Sequence, residues 1–123
     1  MPAERRSALS IVIYHNPRCS KSRQGLALLR EHGVEPEIVE YLKTPPSAEE
    51  LDAILRKLGM EPRELMRRKE AEYKELGLSD ESLSRGRLIE AMVEHPRLIE
   101  RPIVVSGDRA VLGRPTEKVL ELI

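Results

Sequence analysis

Apolar positions along this chain change their period several times, and each change marks an element. Ile11 to Tyr14 is a short, continuous β-prone run of the kind a buried central strand shows. His15-Asn16-Pro17-Arg18 turns the chain, and a helical pattern follows in which Leu26, Leu28 and Leu29 are apolar, closing at Gly33. Residues 37–42 (EIVEYL) return to strand character. Strand, helix and strand over residues 11–42 have the length of a βαβ unit, so the two strands are expected to be parallel.

Thr44-Pro45-Pro46 then breaks the pattern, and Ser47 with Glu50 spells a capping box that opens a helix. Leu51, Ile54, Leu55 and Leu58 line one face of it, and Gly59 ends it. A short helix is expected around Pro62 to Arg68 and another around Leu83 to Val93, where Leu88, Ile89 and Met92 fall on one side. Residues of about 47–95 therefore read as a helical insertion. Pro102 to Val105 and Ala110 to Leu112 flank Gly107-Asp108 as a hairpin, and a last helix opens at Pro115 or Thr116 with Val119, Leu120 and Ile123 apolar. The order β-α-β, helices, β-β-α is that of an α/β, thioredoxin-like fold with a central mixed sheet, although periodicity alone leaves other α/β arrangements open.

Composition narrows the picture. The 123 residues are enough for one domain, taken as residues 11–123, with residues 1–10 as a flexible N-terminal tail. The chain has neither Phe nor Trp, so its core must be aliphatic. Its 21 basic and 21 acidic side chains balance, which gives no sign of a nucleic-acid partner. No apolar run approaches the ~18 residues of a membrane span, and no signal-type stretch opens the chain. A cytoplasmic protein without a membrane partner is expected.

Against that balance one segment stands out. From Arg5 to Arg30 there is no Asp or Glu, and within it Arg18, Lys21 and Arg23 surround Cys19, the only cysteine. A lone cysteine is more often a small buried hydrophobe, but these flanks are too polar for a core position. Cys19 falls where a strand ends and a helix begins, and unpaired N–H groups and the helix dipole there favour a thiolate. Arg23 lies about one helical turn away, while Lys21 fits a solvated face equally well.

A lowered pKa is expected for Cys19, yet its kinetic value is limited. An ordinary thiol is about 3% ionised at pH 7, so a drop of ~2 units multiplies thiolate roughly 25-fold. Lost nucleophilicity takes back roughly 8-fold of this. Positioning and charge stabilisation must supply the rest. Cys19-Ser20-Lys21-Ser22 is C-x-x-S and lacks a resolving thiol; nor is it a C-x₅-R phosphate loop, since Gln24-Gly25 stands where the arginine would be. With one cysteine in the chain, redox turnover must draw on an external thiol. No His/Cys/Asp cluster has metal-ligand spacing.

His15-Asn16-Pro17-Arg18-Cys19 with Ser22-Arg23 resembles the H-N-P-x-C-x-x-S-R motif of the glutaredoxin-coupled arsenate reductases, the ArsC family. Tyr41-Leu42, Pro45-Pro46-Ser47, Glu64 to Arg67, Tyr73 to Leu78, His95-Pro96, Leu98 to Val105 and Gly113-Arg114-Pro115 resemble the family's later segments in order. Ser20 and Lys21 stand where well-known members carry Gly and Thr, Arg18 replaces a small residue, and Gln24 replaces Asn.

The resemblance implies a nucleophile at Cys19, with His15 and Ser22 helping to ionise it. It also implies that Arg67, Arg101 and Arg114 hold an oxyanion, joined in this reading by Arg23. In thioredoxin-like folds the proline before the third strand, here Pro102, is commonly cis. The implied activity is reduction of arsenate or a similar oxyanion, with no bound cofactor, glutathione as co-substrate and glutaredoxin as partner. A monothiol, glutaredoxin-like exchange protein fits C-x-x-S as well. Spx-type regulators, which bind RNA polymerase, share the fold but usually carry C-x-x-C.

Overall fold

A computed structural model describes residues 10–123, so the expected tail lies outside the described residues except for Ser10. The described residues form two compact units, one made of residues 10–41 with Arg101–Ile123, the other of Leu42–Glu100.

The first unit is a four-stranded sheet with helical cover. Its strands are β1 (Ile11–His15), β2 (Glu37–Glu40), β3 (Ile103–Ser106) and β4 (Arg109–Leu112), in the order β2-β1-β3-β4. β1 and β2 are parallel, as a βαβ unit requires, and β1–β3 and β3–β4 are antiparallel. β1 is thus central, and alternation along it buries Ile11, Ile13 and His15. That period carries a histidine onto the core face at the strand's end. Helix α1 (Ser20–Glu31) crosses between β1 and β2 and buries Ser22, Gly25, Leu26 and Leu29. Ile11, Ile13, Leu26, Leu29, Val34, Val104, Val119 and Leu122 form an aliphatic core cluster, and Tyr41 is the aromatic residue buried in this unit. Gly107, at φ +60°, makes the β3–β4 turn that a side chain would strain.

The second unit is helical. Helix α2 (Ala48–Leu58) starts on the expected capping box: Ser47 Oγ accepts the Glu50 N–H at 3.1 Å, and Glu50 Oε1 accepts the Ser47 N–H at 2.8 Å. Helices α3 (Ala71–Glu75) and α4 (Arg85–Glu94) follow, with short 3₁₀ turns at Pro62–Leu65 and Pro96–Leu98. α4 packs against α2 and both turns, burying Leu88, Ile89, Ala91 and Met92.

Some boundaries differ from the sequence reading. The second strand stops at Glu40 rather than residue 42, because Tyr41 turns into the core and Leu42 and Lys43 turn ahead of the prolines. Helix α4 begins at Arg85 rather than Leu83, since Ser84 caps it by accepting the Arg87 N–H. The expected helix over residues 62–68 is only a 3₁₀ turn, and the last helix, Thr116–Leu122, is also 3₁₀. The short helix α3 has no buried residue to give it an apolar stripe.

Candidate active site

The loop from His15 to Cys19 is a hydrogen-bonded turn. Asn16 Oδ1 accepts the Arg18 N–H at 3.0 Å, and its carbonyl accepts the Cys19 N–H at 3.0 Å. This is what an Asn-Pro pair does after a strand. Cys19 has extended backbone and serves as N-cap of α1, where its carbonyl accepts the Arg23 N–H at 3.0 Å. Its sulfur faces the first backbone N–H groups of the helix, those of Lys21 and Ser22. Cys19 is partly exposed.

Two of the expected residues lie beneath the loop. His15 Nδ1 and Ser22 Oγ share a 2.7 Å hydrogen bond, and both residues are buried. Ser22 Oγ also accepts the Asn16 N–H at 3.0 Å, so its own proton remains for an unprotonated Nδ1. Burial lowers the His15 pKa; Glu40, opposite it in β2, pulls the other way, while Arg30 and Arg23 add to the lowering. Through Ser22 Oγ the ring is tied to the loop at Asn16. Arg23 Nη1 donates to the Pro17 carbonyl at 2.9 Å and clips the loop from outside. It lines, with His15 and Pro17, a surface groove of about 590 Å³ along α1.

Arginines distant in sequence reach the sulfur. Arg114 Nη2 donates towards Cys19 Sγ over 3.9 Å, and its Nε–H donates to the Arg101 carbonyl at 2.9 Å. The Arg101–Pro102 peptide is cis, and so is Arg114–Pro115. Pro102 is closely walled: a Cβ on Gly113 would sit 2.9 Å from its Cγ, and one on Gly25 would sit 3.0 Å from the same atom. Gly25 and Gly113 enter the sequence reading only as parts of motifs, and nothing local marks them as walls of Pro102.

Burial pushes the Cys19 thiol up. The Ser22 backbone N–H, the Arg101 charge and hydrogen bond, and the Lys21 N–H outweigh that, so its pKa lies below the ordinary value. The direction agrees with the sequence reading, but the agents differ. The cation is Arg101 rather than Arg18 or Arg23, and Lys21 acts through its backbone rather than its ammonium.

Arg67 belongs to the second unit. It follows the 62–65 turn, where Met66 bridges Ile99 and the Arg67 N–H donates to the Leu98 carbonyl at 2.7 Å. Its Nη2 pairs with Glu70 Oε2 at 3.1 Å. Among the described residues no three His, Cys, Asp or Glu side chains come together as a metal site, and no helix is long and apolar enough to cross a membrane.

The chain has counterparts among known proteins. YfgD of Escherichia coli is 60% identical over 92% of this chain and 96% of its own. An arsenate reductase of Haemophilus influenzae is 50% identical over 94% of this chain and all of its own. The solved arsenate reductase of Vibrio cholerae superposes with a TM-score of 0.90 at 56% identity, covering 93% of this chain and 98% of that one. The fold is thus thioredoxin-like, of the ArsC type. With residues 14–122 matching its family model, the chain belongs to the ArsC family.

Proposed function

We propose that this protein reduces arsenate to arsenite, with Cys19 as nucleophile, glutathione as co-substrate and glutaredoxin as the protein that regenerates it. The observation that carries the reading is the meeting of a thiol of lowered pKa with the Arg114 and Arg101 groups. A thiolate beside guanidinium donors is suited to a tetrahedral oxyanion, which the donors hold and the sulfur attacks. Three relatives at 47–50% identity bear the name arsenate reductase.

In the proposed sequence the Cys19 thiolate forms a sulfur–arsenic bond and an arsenic hydroxyl leaves as water after taking a proton. Glutathione then brings the second thiol. Two electrons pass to arsenic(V), arsenite leaves, and the two sulfurs remain joined as a Cys19–glutathione disulfide. Glutaredoxin reduces that disulfide, which the lone cysteine cannot do for itself. His15 and Ser22 keep the loop in place, while Arg101 and Arg114, with Arg67 and Arg23 as implied by the resemblance, serve the oxyanion. No bound cofactor enters this sequence, and the cytoplasm supplies its reduced thiols.

Oxidation of NADPH coupled through glutathione and glutaredoxin, dependent on arsenate, tests the reading. Wild type should turn over and Cys19→Ser should not. The single thiol in C-x-x-S also favours a second reading, exchange with glutathionylated proteins. Faster turnover of a glutathione mixed disulfide than of arsenate would favour it instead.

A further inference from the structure

We propose that Glu40 is a positioning residue: it keeps the proton of the His15 ring on Nε2 and so completes the hydrogen bonding that holds the Cys19 loop. Its value to catalysis rests on the role given to Cys19 above. Sheet register is the first support. His15 and Glu40 are partners in the parallel pairing of β1 with β2. Side chains at paired positions stand on the same face, on strands about 4.8 Å apart. That face is the one on which β1 buries Ile11, Ile13 and His15.

A glutamate on an edge strand is more often a solvated charge that discourages further pairing. Strand β2 carries one of each kind. Glu37 is exposed and pairs with Val12, whose side chain stands on the opposite face from His15. Glu40 is half-buried and pairs with the buried histidine.

The proton count gives the second support. Burial holds the His15 pKa below 6.5, so at pH 8 the ring has one N–H and one bare nitrogen. Nδ1 lies 2.7 Å from Ser22 Oγ, which also accepts the Asn16 N–H at 3.0 Å. With the ring proton on Nδ1, Ser22 Oγ accepts twice and its own proton loses its acceptor. With the proton on Nε2, the hydroxyl donates to Nδ1 and the Nε2–H needs an acceptor of its own. Without Glu40, each form leaves one donor unpaired. With it, the Nε2–H form satisfies every group. The charged groups that act on the ring are Glu40 from β2 and Arg30 and Arg23 from α1. Guanidinium groups only donate, so the carboxylate is the acceptor among them.

The test is nitrogen NMR of protein labelled in histidine, with the His15 signals assigned by His15→Gln. It compares wild type, Glu40→Leu, Glu40→Gln and Glu37→Leu. At pH 8 wild type should show Nε2 protonated and Nδ1 bare. Glu40→Leu should show a substantial share of the Nδ1–H form. Its Asn16 amide proton should exchange about fivefold faster, the scale of one ordinary hydrogen bond. Its kcat/KM for arsenate should fall by a similar factor. Glu40→Gln keeps an acceptor oxygen, so it should retain the wild-type ring form and amide exchange, while loss of the charge lowers the His15 pKa further. Glu37→Leu should leave ring form, exchange and turnover unchanged. A wild-type ring protonated on Nδ1 overturns the proposal, as does a Glu40→Leu ring that stays wholly in the Nε2–H form, or an equal effect of Glu37→Leu. So does unaltered arsenate kcat/KM in Glu40→Leu once its ring form has shifted. An absence of arsenate turnover in wild type would instead remove the arsenate reading, and ring form and amide exchange would still decide the part of Glu40.

Discussion

Arg114 Nη2 stands 3.9 Å from Cys19 Sγ although the two residues are 95 positions apart in the chain. The same guanidinium donates through Nε to the Arg101 carbonyl at 2.9 Å, so one side chain ties the sulfur to the segment leading into β3. A lysine has no second nitrogen with which to hold both ends. Arg114→Lys should therefore lower arsenate kcat/KM almost as far as Arg114→Ala, by about 100-fold. Steady-state kinetics check this, and a lysine variant with near wild-type turnover would show that charge alone suffices.

Arg101 and the backbone N–H groups of Ser22 and Lys21 hold the Cys19 thiol below its ordinary pKa against the effect of burial. Removing the cation while leaving the burial should raise it. In Arg101→Ala the midpoint of alkylation rate against pH should therefore move up. The sign carries over to stability. A depressed pKa contributes stability that is complete above the unfolded thiol value, ~8.5, and is lost as pH falls through the folded value. Between those points wild type should gain more stability with rising pH than Cys19→Ser does, as read from urea midpoints.

Ser22→Ala separates propping from ionisation. The hydroxyl bonds His15 and the Asn16 N–H in a buried place, while the group that faces the thiol is the Ser22 backbone N–H. Loss of the hydroxyl should cost about 1–3 kcal/mol of stability, because buried partners are left unpaired. The Cys19 alkylation midpoint should move less than in Arg101→Ala. A larger movement would assign the hydroxyl a direct part in ionisation.

Those contrasts show what could be read from the residues in order. Strand β1, helix α1 and the hairpin of β3 and β4 follow from runs and periods within a few residues, and so does the capping box of α2. The N-cap position of Cys19 follows from the same local rules. Helix α3 does not, because it buries nothing and leaves no stripe. The cations near the thiol do not either. Sequence proximity pointed to Arg18 and Arg23, whereas Arg23 bends to the Pro17 carbonyl and sheet pairing delivers Arg101 and Arg114. Spacing has no record of that, and the family motif supplied it.

His15 gives a pH prediction of definite sign. Burial holds its pKa below the ordinary value of 6.5, so the folded protein resists a proton that the unfolded chain accepts. Its contribution to stability is complete above the unfolded value and is lost as pH falls through the folded one. Between pH 7 and pH 5, wild type should lose more stability than His15→Gln, whose amide does not titrate. Urea midpoints at both pH values give the comparison; equal losses would mean that His15 carries no such linkage.

The wall around Pro102 makes the last prediction. A methyl at Gly113 would meet Pro102 Cγ at 2.9 Å and Val119 Cγ1 at 3.2 Å, and neither is the free end of a flexible side chain. Val119 is fully buried, so the strain cannot be relieved outward. Gly113→Ala should cost about 1–3 kcal/mol, the usual penalty of overpacking. Gly25→Ala meets Pro102 at 3.0 Å but Val119 only at 3.7 Å, so it should cost less. The Gly113 N–H also donates to the Pro102 carbonyl at 2.8 Å, so a shift of this wall moves the segment that bears Arg101 and Arg114. Gly113→Ala should accordingly slow arsenate turnover by more than its stability loss explains, measured at a temperature where the variant is fully folded. Full activity there would show that the wall serves packing alone.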